Sequence, residues 1–208
     1  MNGKTHRAGG ICFGIATAVC LWGVPQTPSE AALAVTLIAG SSVGSLLPDI
    51  DHHNSTITNQ LKRGCRDILE FPLRLLGFKP KRRKVKKKRP KQDNSQRKRD
   101  ARRPKAFRHR GITHSPFLIM LVFLLLLLLY PGFKPWFQPY YFMLSFGLFV
   151  GMVSHLFLDA LTKDGIPLLA PLTYQRFKLM KLTTGKHELM VLLLMVIVTT
   201  AVVCFQIK

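Results

Sequence analysis

Five stretches of this 208-residue chain carry almost no charge, and each is about long enough to cross the apolar core of a bilayer as an α-helix. They cover residues 8–24, 31–47, 112–130, 135–158 and 189–207. In lipid the backbone polar groups can be satisfied only within helices or closed barrels, and apolar runs of this length are typical of helices. The sequence therefore predicts an all-α fold, a polytopic membrane helical bundle of about five transmembrane helices.

Pairs of glycines four residues apart recur in three of the five stretches. The pairs are Gly10 and Gly14, Gly40 and Gly44, and Gly147 and Gly151. Small residues at this spacing let two helix backbones approach closely in a membrane. One such pair is a weak signal, but three of them predict a tightly packed bundle.

The positive charge is concentrated in one connection between the apolar stretches. Of the 31 Lys and Arg residues, 22 lie in residues 61–110, and they dominate the net charge of +21. The positive-inside rule predicts that this connection is cytoplasmic and, two spans earlier, that the N-terminus is cytoplasmic too. We expect three regions: transmembrane helices 1 and 2 with a polar turn in residues 1–60, a basic cytoplasmic insert in 61–108, and transmembrane helices 3 to 5 in 109–208.

The basic insert has two parts. Apolar residues recur at three- and four-residue steps through residues 61–78, which predicts an interfacial helix lying on the membrane. Residues 79–105 are dense in charge and are expected to be disordered in isolation. Anionic phospholipid headgroups are the favoured partner, because each basic residue near such a surface contributes about 1 kcal/mol. Nucleic acid is the less favoured alternative, because no aromatic residues interleave the run.

Imidazoles and carboxylates gather at four of the predicted helix ends. With the orientation derived from charge, all of them face the cytoplasmic side. Imidazole nitrogen and carboxylate oxygen bind zinc and related divalent ions, and a lack of nearby cysteine favours a catalytic over a closed structural site. So many donors suggest two or more ions. The candidate donors are His6, Asp49, Asp51, His52, His109, His114, His155 and Asp159.

Each of these motifs also has a purely structural interpretation. His155 and Asp159 stand one helical turn apart and could be a hydrogen-bonded pair inside the bundle. Asp49 and Asp51 could be residues of a helix-terminating turn. His109 and Arg110 could simply extend the basic run. His53 and His187 are interpreted as surface residues.

In order and placement the motifs resemble those of the YdjM-like family of inner-membrane metal-dependent hydrolases. The resemblance rests on His6 before the first span, LLPDIDH at residues 46–52, HRGITHS at 109–115 and HLFLDALTKDG at 155–165. That family is grouped with helical hydrolases of the zinc-dependent phospholipase C and P1 nuclease type. The basic insert departs from the family's compact pattern.

The resemblance implies phosphoester hydrolysis at two or more divalent ions, zinc above all, in a bacterial inner membrane. By matching position it assigns metal binding to five residues, and less firmly to three more. The five are His6, Asp49, His114, His155 and Asp159, and the three are Asp51, His52 and His109.

The sequence thus predicts a membrane-bound metal-dependent hydrolase acting on phosphoesters in lipid or lipid-linked substrates at the cytoplasmic interface. Asp51 is the candidate base if it is not itself a ligand, and Arg110 would stabilise negative charge on phosphate. Thr113 or Ser115 would bond to a ligand imidazole. A metalloprotease is disfavoured because the chain has no HExxH motif or its reversal.

The alternative is a non-enzymatic divalent-metal-binding membrane protein, either a transporter or a scaffold with a lipid-binding or nucleic-acid-binding arm. A transporter should place ionisable groups near the bilayer midplane, with broken helices and repeated halves. Here the donors cluster at one face. The sequence does not indicate an oligomeric state.

Overall fold

The computed structural model describes residues 3–51, 112–173, 175–183, 185 and 187–206, and at residues 50, 51 and 112 it describes the backbone alone. This part of the chain is all-helical. It contains five α-helices: α1 Gly3–Trp22, α2 Pro28–Gly44, α3 Pro116–Leu129, α4 Gln138–Ala160 and α5 Glu188–Gln206. The predicted basic insert, residues 61–108, lies outside the described residues.

Local signals set the start and end of α2. The Thr27 side chain accepts a hydrogen bond from the backbone of Glu30, whose carboxylate accepts one from the Thr27 backbone, so a complete capping box begins the helix. The helix ends at Gly44, and a short 3-10 helix, Leu47–Asp51, follows it. The polar turn expected around Pro48 is therefore a 3-10 helix and not an irregular turn.

The third apolar stretch becomes a helix later than the sequence suggested. Residues 112–130 were expected to form one span, but Ile112–His114 form a separate 3-10 turn and α3 begins at Pro116. Proline suits the first position of a helix and disfavours helical geometry in the residue before it. Ser115 has an extended backbone and caps α3 by accepting a hydrogen bond from Phe117 N.

Three stretches of the described chain have the length and apolar composition to cross a membrane. They are Pro28–Asp49, Gln138–Ala160 and Glu188–Gln206. Helix α3 has 14 residues and spans about 21 Å, less than the roughly 30 Å of a bilayer core. Helix α1 carries Lys4, His6 and Arg7 in its first two turns. Five helices are confirmed, but a span of full length is shown for three.

Helices α2 and α4 form the centre of the bundle, and their glycines permit the close packing. A Cβ on Gly151 would meet the Ser41 carbonyl oxygen of α2, and one on Gly44 would meet the Leu148 backbone of α4. Both side chains would collide with backbone atoms. The predicted role of the glycine pairs is confirmed here. Helix α1 also approaches α2 closely, and Ser41 Oγ donates a hydrogen bond to Gly10 O at 2.6 Å.

The other helices pack around this centre. Helix α1 contacts α2, α4 and α5, while α3 packs on α4. Between α4 and α5 the chain forms an irregular connection that folds back on itself, with Ile166 and Phe177 exchanging backbone hydrogen bonds. Because successive helices alternate in direction, the start of α1, the end of α2, the start of α3 and the end of α4 meet at one end of the bundle.

Candidate metal centre

Five side chains from the four meeting helix ends converge there. They are His6, Asp49, His114, His155 and Asp159. All five were matched to metal ligands by the family resemblance. His114 and His155 are fully buried, His6 and Asp159 are 1% exposed, and Asp49 is 21% exposed. The cluster is therefore a buried polar site that opens on the side of Asp49.

Two carboxylate oxygens in this cluster lie at nearly equal distances from two imidazole nitrogens. Nε2 of His114 and Nε2 of His155 are 3.3 Å apart. Asp49 Oδ1 lies 3.5 Å from the His114 nitrogen and 3.7 Å from the His155 nitrogen, and Asp159 Oδ2 lies 3.5 and 3.6 Å from the same two atoms. Tetrahedral zinc with bonds of about 2.0–2.1 Å places its ligand atoms about 3.3 Å apart. Each of the two carboxylate oxygens, together with the two imidazole nitrogens, therefore forms a set of three donors at separations that suit such an ion.

The ring orientation of His155 supports the same interpretation. Its Nδ1 lies 2.6 Å from the backbone carbonyl oxygen of Ser45, and a carbonyl can only accept, so Nδ1 donates. If the ring is neutral, Nε2 then carries a lone pair that is directed toward the carboxylate oxygens of Asp49 and Asp159. Acceptors facing acceptors in a buried site repel unless a cation lies among them.

His6 and the second oxygen of Asp159 extend the cluster. Asp159 Oδ1 lies 3.4 Å from His6 Nε2, while Oδ2 faces His114 and His155. The His6 ring stacks on the His155 ring with centroids 3.8 Å apart. His6 Nδ1 is buried and has no hydrogen-bond partner among the described residues. One carboxylate thus touches two donor sets, as a ligand shared by two ions would.

His114 lies in the 3-10 turn before α3 and is held by its neighbour. Thr113 Oγ1 lies 3.0 Å from His114 Nδ1, so the hydroxyl can fix the ring with Nε2 toward the cluster. Burial lowers the pKa of His114, and the nearby His155 acts in the same direction, against the opposing effect of Asp49 and Asp159. A lowered pKa favours the neutral imidazole, which is the form that binds metal.

The structure describes only part of the predicted site. His52, His109 and Arg110 lie outside the described residues, as does the side chain of Asp51. His187 directly precedes α5 and is not in either group of donors that could hold an ion. Those two groups are His6, His155 and Asp159, and Asp49, His114 and His155.

One member of the site had no signal in the sequence. Ser45 orients His155 through its backbone carbonyl, and any residue type could supply that group. Its own hydroxyl donates to Ser42 O instead. Only the packing of α2 against α4 could reveal this role.

Comparison with known proteins agrees with this architecture. A protein of Bacillus subtilis (strain 168) described as "Uncharacterized protein YvsG" is 30% identical over 173 residues, which cover 83% of this chain and 75% of that protein. No solved structure matches the chain. The family model described as "YdjM inner membrane protein" matches residues 1–207. The chain belongs to the YdjM inner membrane protein family.

Proposed function

We propose that this protein is a membrane-embedded metal-dependent hydrolase that cleaves phosphoester bonds in lipid or lipid-linked substrates at the cytoplasmic interface. One observation carries the proposal. Five imidazole and carboxylate groups from four helix ends lie together, and within them two overlapping sets of three have separations that suit a divalent ion.

In this proposal the donors divide into two positions. His114, His155, Asp49 and Asp159 would hold one divalent ion, for which zinc suits the mixed nitrogen and oxygen set. His6 and the other oxygen of Asp159 would supply part of a second position. A pair of divalent ions supplies water activation and stabilises the charge that develops on a phosphoryl group.

The protein's own groups prepare the site for this chemistry. The Ser45 carbonyl and the Thr113 hydroxyl orient the rings of His155 and His114. Burial of the donors excludes bulk water, which strengthens their interaction with charge. Because Asp49 is the most exposed of the five, substrate would approach on its side. The roles of Asp51 as base and Arg110 as phosphate-binding cation remain predictions.

The position of the donors also favours hydrolysis over metal transport. His6 lies in the second turn of α1, and His155 and Asp159 lie in the last two turns of α4. A transport site is expected near the middle of spanning helices that are broken there. A substrate entering from the membrane surface would meet this cluster without crossing the bilayer.

The test is a comparison of purified wild-type protein with His155→Ala and with His187→Ala, a matched control histidine outside the donor groups. Metal content is measured by elemental analysis, and hydrolysis by release of phosphate or headgroup from inner-membrane phospholipids. Wild type and His187→Ala should bind zinc and turn over. His155→Ala should lose at least about 100-fold in activity, since even outer-shell partners of a metal cost about 10–100-fold.

Two results would reject the proposal. Turnover that persists after thorough chelation would exclude metal-dependent hydrolysis. Bound metal without hydrolysis of any phosphoester, together with metal uptake into vesicles, would favour the non-enzymatic alternative.

A further inference from the structure

A large apolar pocket lies beside the donor cluster. Its volume is about 450 Å³, within the range of roughly 300–1,000 Å³ typical of ligand sites. It is lined by residues of α3, α4 and the connection that follows α4. The residues that matter below are Ile119, Met120, Val153, Leu156, Ala160 and Leu168.

The pocket and the donor cluster share the last turns of α4. Leu156 and Ala160 line the pocket, and they directly follow His155 and Asp159 in the sequence. Consecutive helix residues are rotated by about 100°, so the same two turns present donors on one face and the pocket wall on the next. The pocket and the donors thus lie on neighbouring faces of α4.

The pocket opens on the outer surface of α4, a helix that is long and apolar enough to cross a membrane. Its rim residues Met120, Val153 and Leu168 are 50%, 40% and 43% exposed, while Ile119, Leu156 and Ala160 at its wall are at most 6% exposed. Because α4 has the length and composition of a membrane span, we expect lipid acyl chains around this rim. Among the described residues, no charged side chain lines the pocket.

We propose that this pocket binds an acyl chain of a membrane lipid and so places the phosphoester of that lipid at the donor cluster. The proposal rests on the proposed hydrolase function for its second half. It assigns the substrate class as a phospholipid-like molecule that enters laterally from the membrane. A water-soluble phosphoester would leave the pocket without a role.

The test uses full-length protein in vesicles that contain a glycerophospholipid with a diazirine at the end of one acyl chain. After illumination, the labelled residues are mapped by mass spectrometry. An acyl chain inside the pocket should label the buried wall residues Ile119, Leu156 and Ala160. Lipid that merely surrounds the protein can label only outward residues such as Leu144, which is 38% exposed.

Two tryptophan variants of α4 complete the design. Val153→Trp should fill the pocket and reduce wall labelling at least tenfold, while labelling of outward residues is unchanged. Leu144→Trp is the matched control, because Leu144 does not line the pocket, and it should leave wall labelling intact. Retained thermal stability of Val153→Trp shows that the fold survives.

The outcomes separate this inference from the proposed function. Labelling confined to outward residues, or wall labelling that Val153→Trp leaves unchanged, would overturn the pocket assignment even if the protein hydrolyses phospholipid. A photo-crosslinker at position 153 that captures residues 61–78 of the same chain instead of lipid would also overturn it. Wall labelling that persists in His155→Ala without hydrolysis supports the pocket as a lipid site, whatever the fate of the hydrolase proposal.

Discussion

At the scale of single residues, the site depends on groups that hold the imidazoles in one orientation. His155 is fixed by a backbone carbonyl, which no substitution can remove, but His114 is fixed by the hydroxyl of Thr113. Outer partners of metal-binding histidines set the tautomer and the ring orientation. A substitution of Thr113 can therefore test whether the orientation of the His114 ring matters for metal binding.

Replacing Thr113 by valine should weaken zinc affinity about 10-fold or more, because His114 loses the oxygen that fixes its ring. Thr113→Ser keeps the hydroxyl and should stay within a few-fold of wild type. Zinc affinity is measured by competition with a chromogenic chelator. Equal affinities for the valine and serine variants would show that the contact between Thr113 and His114 does not position the ring.

At the scale of helices, the donor cluster depends on how closely α2 approaches α4. The Ser45 carbonyl belongs to the end of α2, and His155 belongs to α4, so the 2.6 Å bond between them requires the two backbones to keep their separation. The glycines of both helices make that separation possible. Helix packing and metal binding should therefore fail together.

Gly151→Ala should lower stability by about 1–3 kcal/mol, because its Cβ would collide with the Ser41 carbonyl oxygen. Zinc binding should fall in the same variant, since the end of α2 must move away from His155. Gly132→Ala is the matched control, because a Cβ there meets nothing within 4 Å. Thermal unfolding and zinc content are measured for both. A Gly151→Ala protein as stable and as zinc-rich as the control would contradict the packing argument.

At the scale of the whole molecule, one bound ion would tie together segments that are far apart in the sequence. Asp49, His114 and His155 come from three different parts of the chain. A ligand that binds only the folded state stabilises it, by about 2.7 kcal/mol at 100 times its dissociation constant. A metal ion held by these residues should therefore stabilise the folded bundle.

Removing metal by dialysis against a chelator should lower the melting temperature, and adding zinc back should restore it. His155→Ala should show neither effect, whereas His187→Ala should behave as wild type. Melting is followed by light scattering in detergent. A melting temperature indifferent to chelator in the wild type would argue against a resident ion.

The orientation of the whole chain in the membrane follows from its charge and stays a prediction. With the native cysteines replaced, Gln26→Cys between α1 and α2 should react with a membrane-impermeant maleimide in intact cells. Gln92→Cys in the basic insert should react only after the membrane is opened. The reverse pattern would place the donor cluster on the outer face and remove the cytoplasmic leaflet as the source of substrate.

The sequence alone determined the helices and the positions of the donors along them. Apolar run length, Pro116 after Ser115, and the capping residues Thr27 and Glu30 are local signals, so they set the segments without knowledge of the fold. The i, i+4 spacing of His155 and Asp159 put both on one face of α4. Even so, the length of α3 was overestimated, because its start was predicted from apolar character alone. Pro116 disfavours helical geometry at Ser115, so the helix begins later.

Only the tertiary structure decided which donors share a centre. A candidate list from the sequence cannot distinguish a ligand from a nearby polar residue, because donor atoms must lie within a few ångströms of one another and that separation depends on helices far apart in the chain. The close approach of α2 and α4 brings the Ser45 carbonyl to His155 and directs its Nε2 atom toward two carboxylates. The apolar pocket beside them likewise exists only where α3, α4 and the following connection meet.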